Sequence, residues 1–213
     1  MCSFIMKNIN ENLITACREV IAAIEHLLIH KNPIVVALDG GSGAGKSTLA
    51  ALIKSKLEVA LIPLDDFFSA DIPDRQWDEF TVEEKLNNVF DWKRLRRHVI
   101  KPLLKGSPAR WYAFDFASQR SDGTYPMQTE INERNPLPVI LLEGAYSASP
   151  ELAELVDLAI LVNVPVEVRH ARLEARENRH FLEQWHKRWD EVEAYYSTQV
   201  RPESAFDLSV KLK

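Results

Sequence analysis

Only two cysteines occur among the 213 residues, Cys2 and Cys17, close together near one end and with no CxxC or histidine spacing around them. That pattern argues against a disulfide framework and against a cysteine metal site. Long apolar runs are missing as well: none approaches the roughly 20 residues a membrane span requires, so no membrane partner is expected. The opening MCSFIMKNINENL lacks an extended apolar stretch with a cleavage site, and no signal peptide is expected. An excess of positive charge is also absent. The net charge of -5 argues against a dedicated nucleic-acid binder, whose domain is usually basic. There is no N-K-x-D motif of the kind that reads guanine, no internal repeat and no low-complexity segment. A hydrophobic share of 46% and a charged share of 27% describe an ordinary globular chain. Its length suits a single domain over 1–213, and the cytoplasm is the default expectation for its location.

What is present is concentrated in IVVALDGGSGAGKSTLAALI, Ile34 to Ile53. An apolar β-branched run is followed by a glycine loop and then by an Ala/Leu-rich helix former. The loop fits G-x-x-x-x-G-K-[ST], with Gly40, Gly45, Lys46 and Ser47 at the defining positions and Gly41, Ser42, Gly43, Ala44 and Thr48 around them. Glycines let the backbone curl tightly and turn its N–H groups toward a phosphate, and the helix that follows points its positive end at the same place. Lys46 is expected on the β- and γ-phosphates and the Ser47 hydroxyl on Mg²⁺. A ligand-free glycine turn is the plainer alternative, but the strand and helix that the motif demands flank it.

The remaining elements read in order. Asn10 to His30 carries a helical apolar face (Leu13, Ile14, Cys17, Val20, Ile21, Ile24, Leu27, Leu28) that ends at Asn32-Pro33 and either covers a sheet or binds a partner. Val59 to Phe68 is a short strand closing on Asp65 and Asp66. If it runs parallel to the first strand, this acidic pair lies beside the phosphates; otherwise it is a solvated turn. Ser69 to Leu86 reads as a polar loop over the site. Asp91 starts a helix with Trp92, Leu95, Val99 and Leu103 inward and Lys93, Arg94, Arg96 and Arg97 on a solvated face. Ala109 to Gln119 is aromatic and strand-like, with Asp115 between Phe114 and Phe116; the rings are either core or the wall of a pocket. Thr124 to Pro138 reads as a polar connection. Leu137 to Gly144 is a buried strand ending in Glu143, at the Walker-B position, suited to Mg²⁺ or to orienting a nucleophile. After a strand at Leu158–Val164, a helix from Pro165 to Arg176 and another from His180 to Gln199 carry Arg169, Arg172, Arg176 and Arg179 about one per turn. These arginines either pair with Glu174 and Glu177 or fold over a transferring phosphate as a lid. Phe206 to Val210 is a last short strand.

The ordered set GGSGAGKST, LDDFF, FDF, LLEG and an Arg-rich helix pair after VNVPVEVR resembles the uridine kinase/phosphoribulokinase/pantothenate kinase family over about Pro33 to Val210. The resemblance implies an α/β P-loop NTPase fold: a mostly parallel five-stranded sheet flanked by helices, with an Arg-rich helical lid at about 169–199. It also implies ATP and Mg²⁺ as cofactors and a small-molecule hydroxyl acceptor. Carried over by position, Asp65 matches the catalytic base of D-S-F-Y, with Asp66 for the serine and Phe68 for the tyrosine. Glu143 matches the glutamate near Mg²⁺. Phe114, Asp115 and Phe116 match the Y-D-F substrate segment, without its tyrosine hydroxyl. Gln119 stands where uridine kinases place a histidine, and Arg172-Leu173 where they carry two arginines. Arg176 matches a lid arginine, and Asp91 a sugar-hydroxyl-binding aspartate. The departures fall on groups that recognise the nucleoside.

The expectation is an ATP-dependent kinase, uridine kinase-like, with Asp65, Lys46, Arg172 and Arg176 as catalytic residues and Ser47 and Glu143 on the metal. Asp91, Phe114, Asp115, Phe116 and Gln119 are expected on the acceptor. The alternatives are a pantothenate or sugar kinase of the same fold, or a nucleotide-hydrolysing regulator. Oligomeric state is not legible.

Overall fold

Apolar runs that are buried on both sides make a sheet covered by helices on both faces, and four such runs, joined by one short and partly exposed edge strand, organise this chain. The computed structural model describes residues 2–212, with side chains described for residues 11–179 and 182–212. The strands β1 (Ile34–Asp39), β2 (Val59–Pro63), β5 (Val139–Glu143), β6 (Leu158–Asn163) and β7 (Leu208–Lys211) form one sheet in the order β2-β5-β1-β6-β7. Every neighbouring pair in it is parallel. The five-stranded α/β architecture expected from the sequence is therefore the one observed.

Alternation along β1 divides the core. Ile34, Val36 and Leu38 face the first two helices, α1 (Cys2–Leu28) and α2 (Lys46–Lys54), through Cys17, Val20, Ile24, Leu49 and Ile53. The helix expected from Asn10 thus covers one sheet face; its side chains before residue 11 lie outside the described set. Val35 faces the opposite layer, which is built from the middle of the chain and from the last long helix. That layer contains α3 (Asp74–Glu79), α4 (Val82–Asn88), α5 (Trp92–Leu95), a π-helical stretch Arg96–Ile100, and α6 (Lys101–Leu104). The segment expected as a lid, about 169–199, falls on α7 (Val166–Arg176) and α8 (Arg179–Tyr195), the latter continued by a π-helical stretch Tyr196–Val200. A separate antiparallel pair, β3 (Ala109–Phe114) and β4 (Met127–Arg134), packs beside the turn after β2.

Three expectations need correction. The segment Ser69 to Leu86 is not a loop but holds α3 and α4, whose 6 and 7 residues are too short to display a period. Thr81 and Glu84 nevertheless form a reciprocal cap at the start of α4. Thr124 to Pro138 is not merely a connection: it contains β4, which is exposed along most of its length and therefore carries no apolar alternation. Arg94 does not belong to a solvated face. Its side chain is 16% exposed, lies over the Phe67 ring and donates to the carbonyls of Asp66 and Tyr112. A guanidinium on a long stem can bury its length and spend its donors on backbone, which helical spacing does not reveal.

Candidate active site

Register places the acidic residues. Glu143 pairs with Leu38 of β1 on one side and with Pro63 of β2 on the other. The end of β5 therefore sits between the start of the glycine loop and the turn that carries Asp65. Because all three strands are parallel, their carboxyl ends open onto one crevice, the usual ligand position in such sheets. A cavity of about 660 Å³ fills that crevice and is lined by Gly43, Gly45, Lys46, Ser47, Thr48, Asp65, Glu143, Arg172 and Arg176, among others.

The glycine loop needs its glycines here. Gly43 has φ +79°, and a Cβ on it would come 2.6 Å from the Arg169 carbonyl oxygen, so neither the conformation nor the space admits a side chain. Lys46 is 7% exposed and reaches back across the loop, donating to the carbonyls of Gly40 at 2.8 Å and Gly41 at 3.1 Å. Ser47 donates its hydroxyl to Glu143 Oε1 at 3.1 Å. A hydroxyl and a carboxylate oxygen side by side next to a phosphate cradle are hard donors, the set that suits Mg²⁺.

Asp65 lines the cavity and is exposed to it. Desolvation by the walls of the crevice raises its pKa above the usual carboxylate range, with Lys46 and Arg176 opposing the rise. The pKa of Glu143 is raised as well: desolvation is the largest cause and the Asp65 charge adds to it, against Lys46 and the Ser47 hydrogen bond. Asp66 has a different fate. Its Oδ2 accepts the Trp111 indole N–H at 2.7 Å, away from the cavity, which ties β3 to the turn carrying Asp65.

The helix α7 contacts the glycine loop through the loop's backbone. Arg172 donates to the carbonyls of Gly43 and Ala44 at 3.3 and 3.2 Å, and Arg169 donates to that of Ser42 at 2.9 Å. Arg176 lines the cavity and pairs with Glu177. Arg179 pairs with Glu183 at the surface.

Of the acceptor residues expected from sequence, Phe116 lines the cavity and Phe114 packs behind it, the ring centroids 4.5 Å apart. Asp91, Asp115 and Gln119 do not line it. Asp91 caps α5 by accepting the Arg94 N–H, Asp115 accepts the Ala117 N–H, and Gln119 donates to Asp74. Gly40 and Gly41 line a second cavity behind the loop, and Ala44 is buried.

Four features escaped sequence reasoning. The first is Asp39, 1% exposed, whose carboxylate accepts the N–H groups of Gly40, Tyr146 and Ala148 and the Tyr196 hydroxyl. Burial raises its pKa, against those donors and Lys46. With every donor aimed at it, an acid proton on Asp39 would have to displace one of them. An acid ending an otherwise apolar buried strand was the available signal. The second is Tyr146, held at φ 63° beside Asp39. The third is Glu193 of α8, which accepts the Ser42 N–H and pairs with Arg169. The fourth is the rest of the aromatic lining beside the expected Phe116: Phe68, Phe90, Trp185 and Trp189. Phe68 stands at its centre, 5.7 Å from both Phe116 and Trp189.

The phosphoribulokinase/uridine kinase family model matches residues 35–202. Among curated proteins, the uridine kinase of Mycoplasma pneumoniae is 31% identical over 147 residues, covering 67% of this chain and 66% of that protein. The uridine kinase of Mycoplasma genitalium is 31% identical over 144 residues, with 65% and 64% covered, so the chain spans slightly under two thirds of both relatives. The uridine kinase of Streptococcus uberis is 26% identical over 184 residues, with 82% and 80% covered. Two solved structures share the fold. A possible uridine kinase from Bacillus stearothermophilus has a TM-score of 0.63 at 16% identity, covering 95% of this chain and 98% of that one. A D-glycerate 3-kinase from Cryptococcus neoformans has a TM-score of 0.53 at 15% identity, covering 85% and 89%.

Proposed function

The chain belongs to the phosphoribulokinase/uridine kinase family, and from that premise we propose that it is an ATP-dependent kinase of a small metabolite, passing the γ-phosphoryl group to a hydroxyl. One observation carries the reading: Lys46, Ser47, Asp65, Glu143, Arg172 and Arg176 all line a single cavity, which aromatic rings also line. Phosphoryl transfer requires little covalent chemistry from the protein, which acts by positioning and by charge.

The glycine loop and Lys46 hold the phosphates of ATP, and Lys46 exchanges the loop carbonyls it now touches for phosphate oxygens. Ser47 and Glu143 would hold Mg²⁺, which would supply positive charge to offset that of the phosphates. Asp65 orients the acceptor hydroxyl and takes its proton. Arg172 and Arg176 stabilise charge on the migrating group, and the lid keeps water from competing for it.

For the acceptor we infer a compound with a flat body, nucleoside-like. Phe68, Phe90, Phe116, Trp185 and Trp189 suit such a shape by stacking. Relatives named uridine kinase point the same way. The cytoplasm is the proposed location; no helix among the described residues is long and apolar enough to cross a membrane.

The test is ADP release from Mg-ATP across nucleosides, pantothenate, sugars and related alcohols, with Lys46→Ala as the blank. Turnover that rises well above the acceptor-free rate with a nucleoside supports both levels of the proposal. A rise with pantothenate or a sugar alone keeps the kinase and overturns the nucleoside. Slow hydrolysis that no acceptor accelerates favours a nucleotide-hydrolysing regulator.

A further inference from the structure

The two lid helices meet at a second group of potential ligands, on residues the proposed transfer does not use. His170 of α7 and His186 and Asp190 of α8 each bring a donor atom to one place, all within 4.8 Å of one another. His186 and Asp190 stand four residues apart and so share a helix face, with Nδ1 2.9 Å from Oδ1. His170 Nε2 approaches the other carboxylate oxygen at 3.8 Å, and the two imidazole centroids are 4.3 Å apart. One carboxylate thus offers an oxygen to each of two imidazoles that come from different helices.

We propose that His170, His186 and Asp190 bind one divalent transition-metal ion of the zinc class, bridging α7 and α8. Zinc bonds of about 2.0–2.2 Å in tetrahedral geometry set neighbouring donors roughly 3.3 Å apart. The two observed separations, 2.9 and 3.8 Å, run to the two oxygens of Asp190 and bracket that spacing, so a single ion requires the rings to move toward a shared point. Two imidazoles with one carboxylate favour zinc over Mg²⁺, which prefers oxygen ligands. The site is therefore chemically distinct from the Ser47–Glu143 pair. His170 and Asp190 also line the second cavity, about 430 Å³, which leaves room for a water as the remaining ligand.

The ligands sit beside the contacts that close the lid. His170 follows Arg169, and Asp190 lies just under one turn before Glu193, the pair that clasps the Ser42 segment. An ion here staples α7 to α8 and holds that clasp in register. The inference rests on the geometry of the lid, not on the kinase reading.

The experiment is titration of the full-length protein with Co²⁺ and with Zn²⁺, in excess Mg²⁺, following the visible spectrum, heat and thermal unfolding. The expected result is one Co²⁺ per chain with the intense absorption of a tetrahedral ion, displaced by Zn²⁺, and a rise in Tm on binding. His170→Ala and His186→Ala should each weaken binding on the order of tenfold to a hundredfold or more and abolish the Tm rise. The partly exposed positions make folded variants the expectation, and His186→Gln serves as a second version that keeps most of the volume. His26 and His30 of α1, whose rings lie 5.8 Å apart, provide the control: the double alanine variant should bind as the parent does. No saturable binding overturns the proposal. So does binding that persists in His170→Ala and His186→Ala, or that disappears with His26 and His30.

Discussion

Glu193 Oε1 accepts the backbone N–H of Ser42 at 2.9 Å, while its Oε2 takes the guanidinium of Arg169 at 2.8 Å. A carboxylate from the second lid helix therefore holds both the first lid helix and the phosphate loop. The two side chains are 11% and 12% exposed, so neither charge is well solvated without the other.

That coupling is measurable. Glu193→Ala leaves the Arg169 charge nearly buried and unpaired, and should destabilise the fold by about 2–4 kcal/mol. The Arg169→Ala/Glu193→Ala double variant should lose clearly less than the sum of the singles. Chemical denaturation of all four proteins measures the coupling, and simple additivity would show that the pair does not act as a unit.

Asp39 should be intolerant of its isostere. All its partners donate, so the side-chain amide introduced by Asp39→Asn would turn its own N–H donors toward at least one of them. The Tyr196 hydroxyl alone can turn to accept. A loss of about 2–3 kcal/mol in unfolding free energy is expected, from a buried donor left without an acceptor. A variant as stable as the parent would remove Asp39 as the hub joining β1, the loop and the π-helical stretch that continues α8.

Under the proposed transfer, Asp65→Asn should bind ATP nearly as the parent does and lose about a hundredfold or more in turnover. Equilibrium nucleotide binding and single-turnover kinetics separate the two effects. Unchanged turnover would end the assignment of Asp65 as base.

The same carboxylates set a pH dependence. The pKa values of Asp65 and Glu143 are raised by desolvation, so both gain protons at higher pH than ordinary carboxylates. The proposed base, Asp65, must be ionised. The acid limb of kcat/KM should therefore lie above the ordinary carboxylate range, and Asp65→Asn should change its position. Stability runs the other way: with folded pKa values above the unfolded ones, these groups contribute most below the unfolded pKa and lose that contribution as pH rises through the folded one. A pH–rate profile beside unfolding at the same pH values tests both signs.

Ser47→Ala and Glu143→Gln should each raise the Mg²⁺ requirement of the proposed reaction, by at least about tenfold. Titrating Mg²⁺ at saturating ATP measures it. A dependence unchanged in both variants would place the ion elsewhere.

The strand, glycine loop and helix from Ile34 to Ile53 were legible because each is a local pattern, an apolar β-branched run followed by a fixed spacing of loop residues. The acid ending β5 and the pair just after β2 were legible for a related reason: a buried strand that runs into a carboxylate stops where the sheet meets solvent or ligand. Short elements were not. α3, α4 and β4 are too brief or too exposed to carry a period, and Arg94 followed a spacing that its buried partners override.

By itself, then, the sequence determined the apolar strands, the phosphate loop with Lys46 and Ser47, and the acids at or just after the strand ends, all encoded within single elements, while the parallel sheet was expected only through the family resemblance. Only the tertiary structure decided what closes over them. The Glu193–Ser42 contact joins residues 151 positions apart, and the Tyr196–Asp39 contact residues 157 apart. The aromatic wall and the His170–His186–Asp190 cluster likewise arise where separate elements meet. Such contacts depend on how helices settle against a sheet once the core is packed, and residue spacing along the chain carries no record of that.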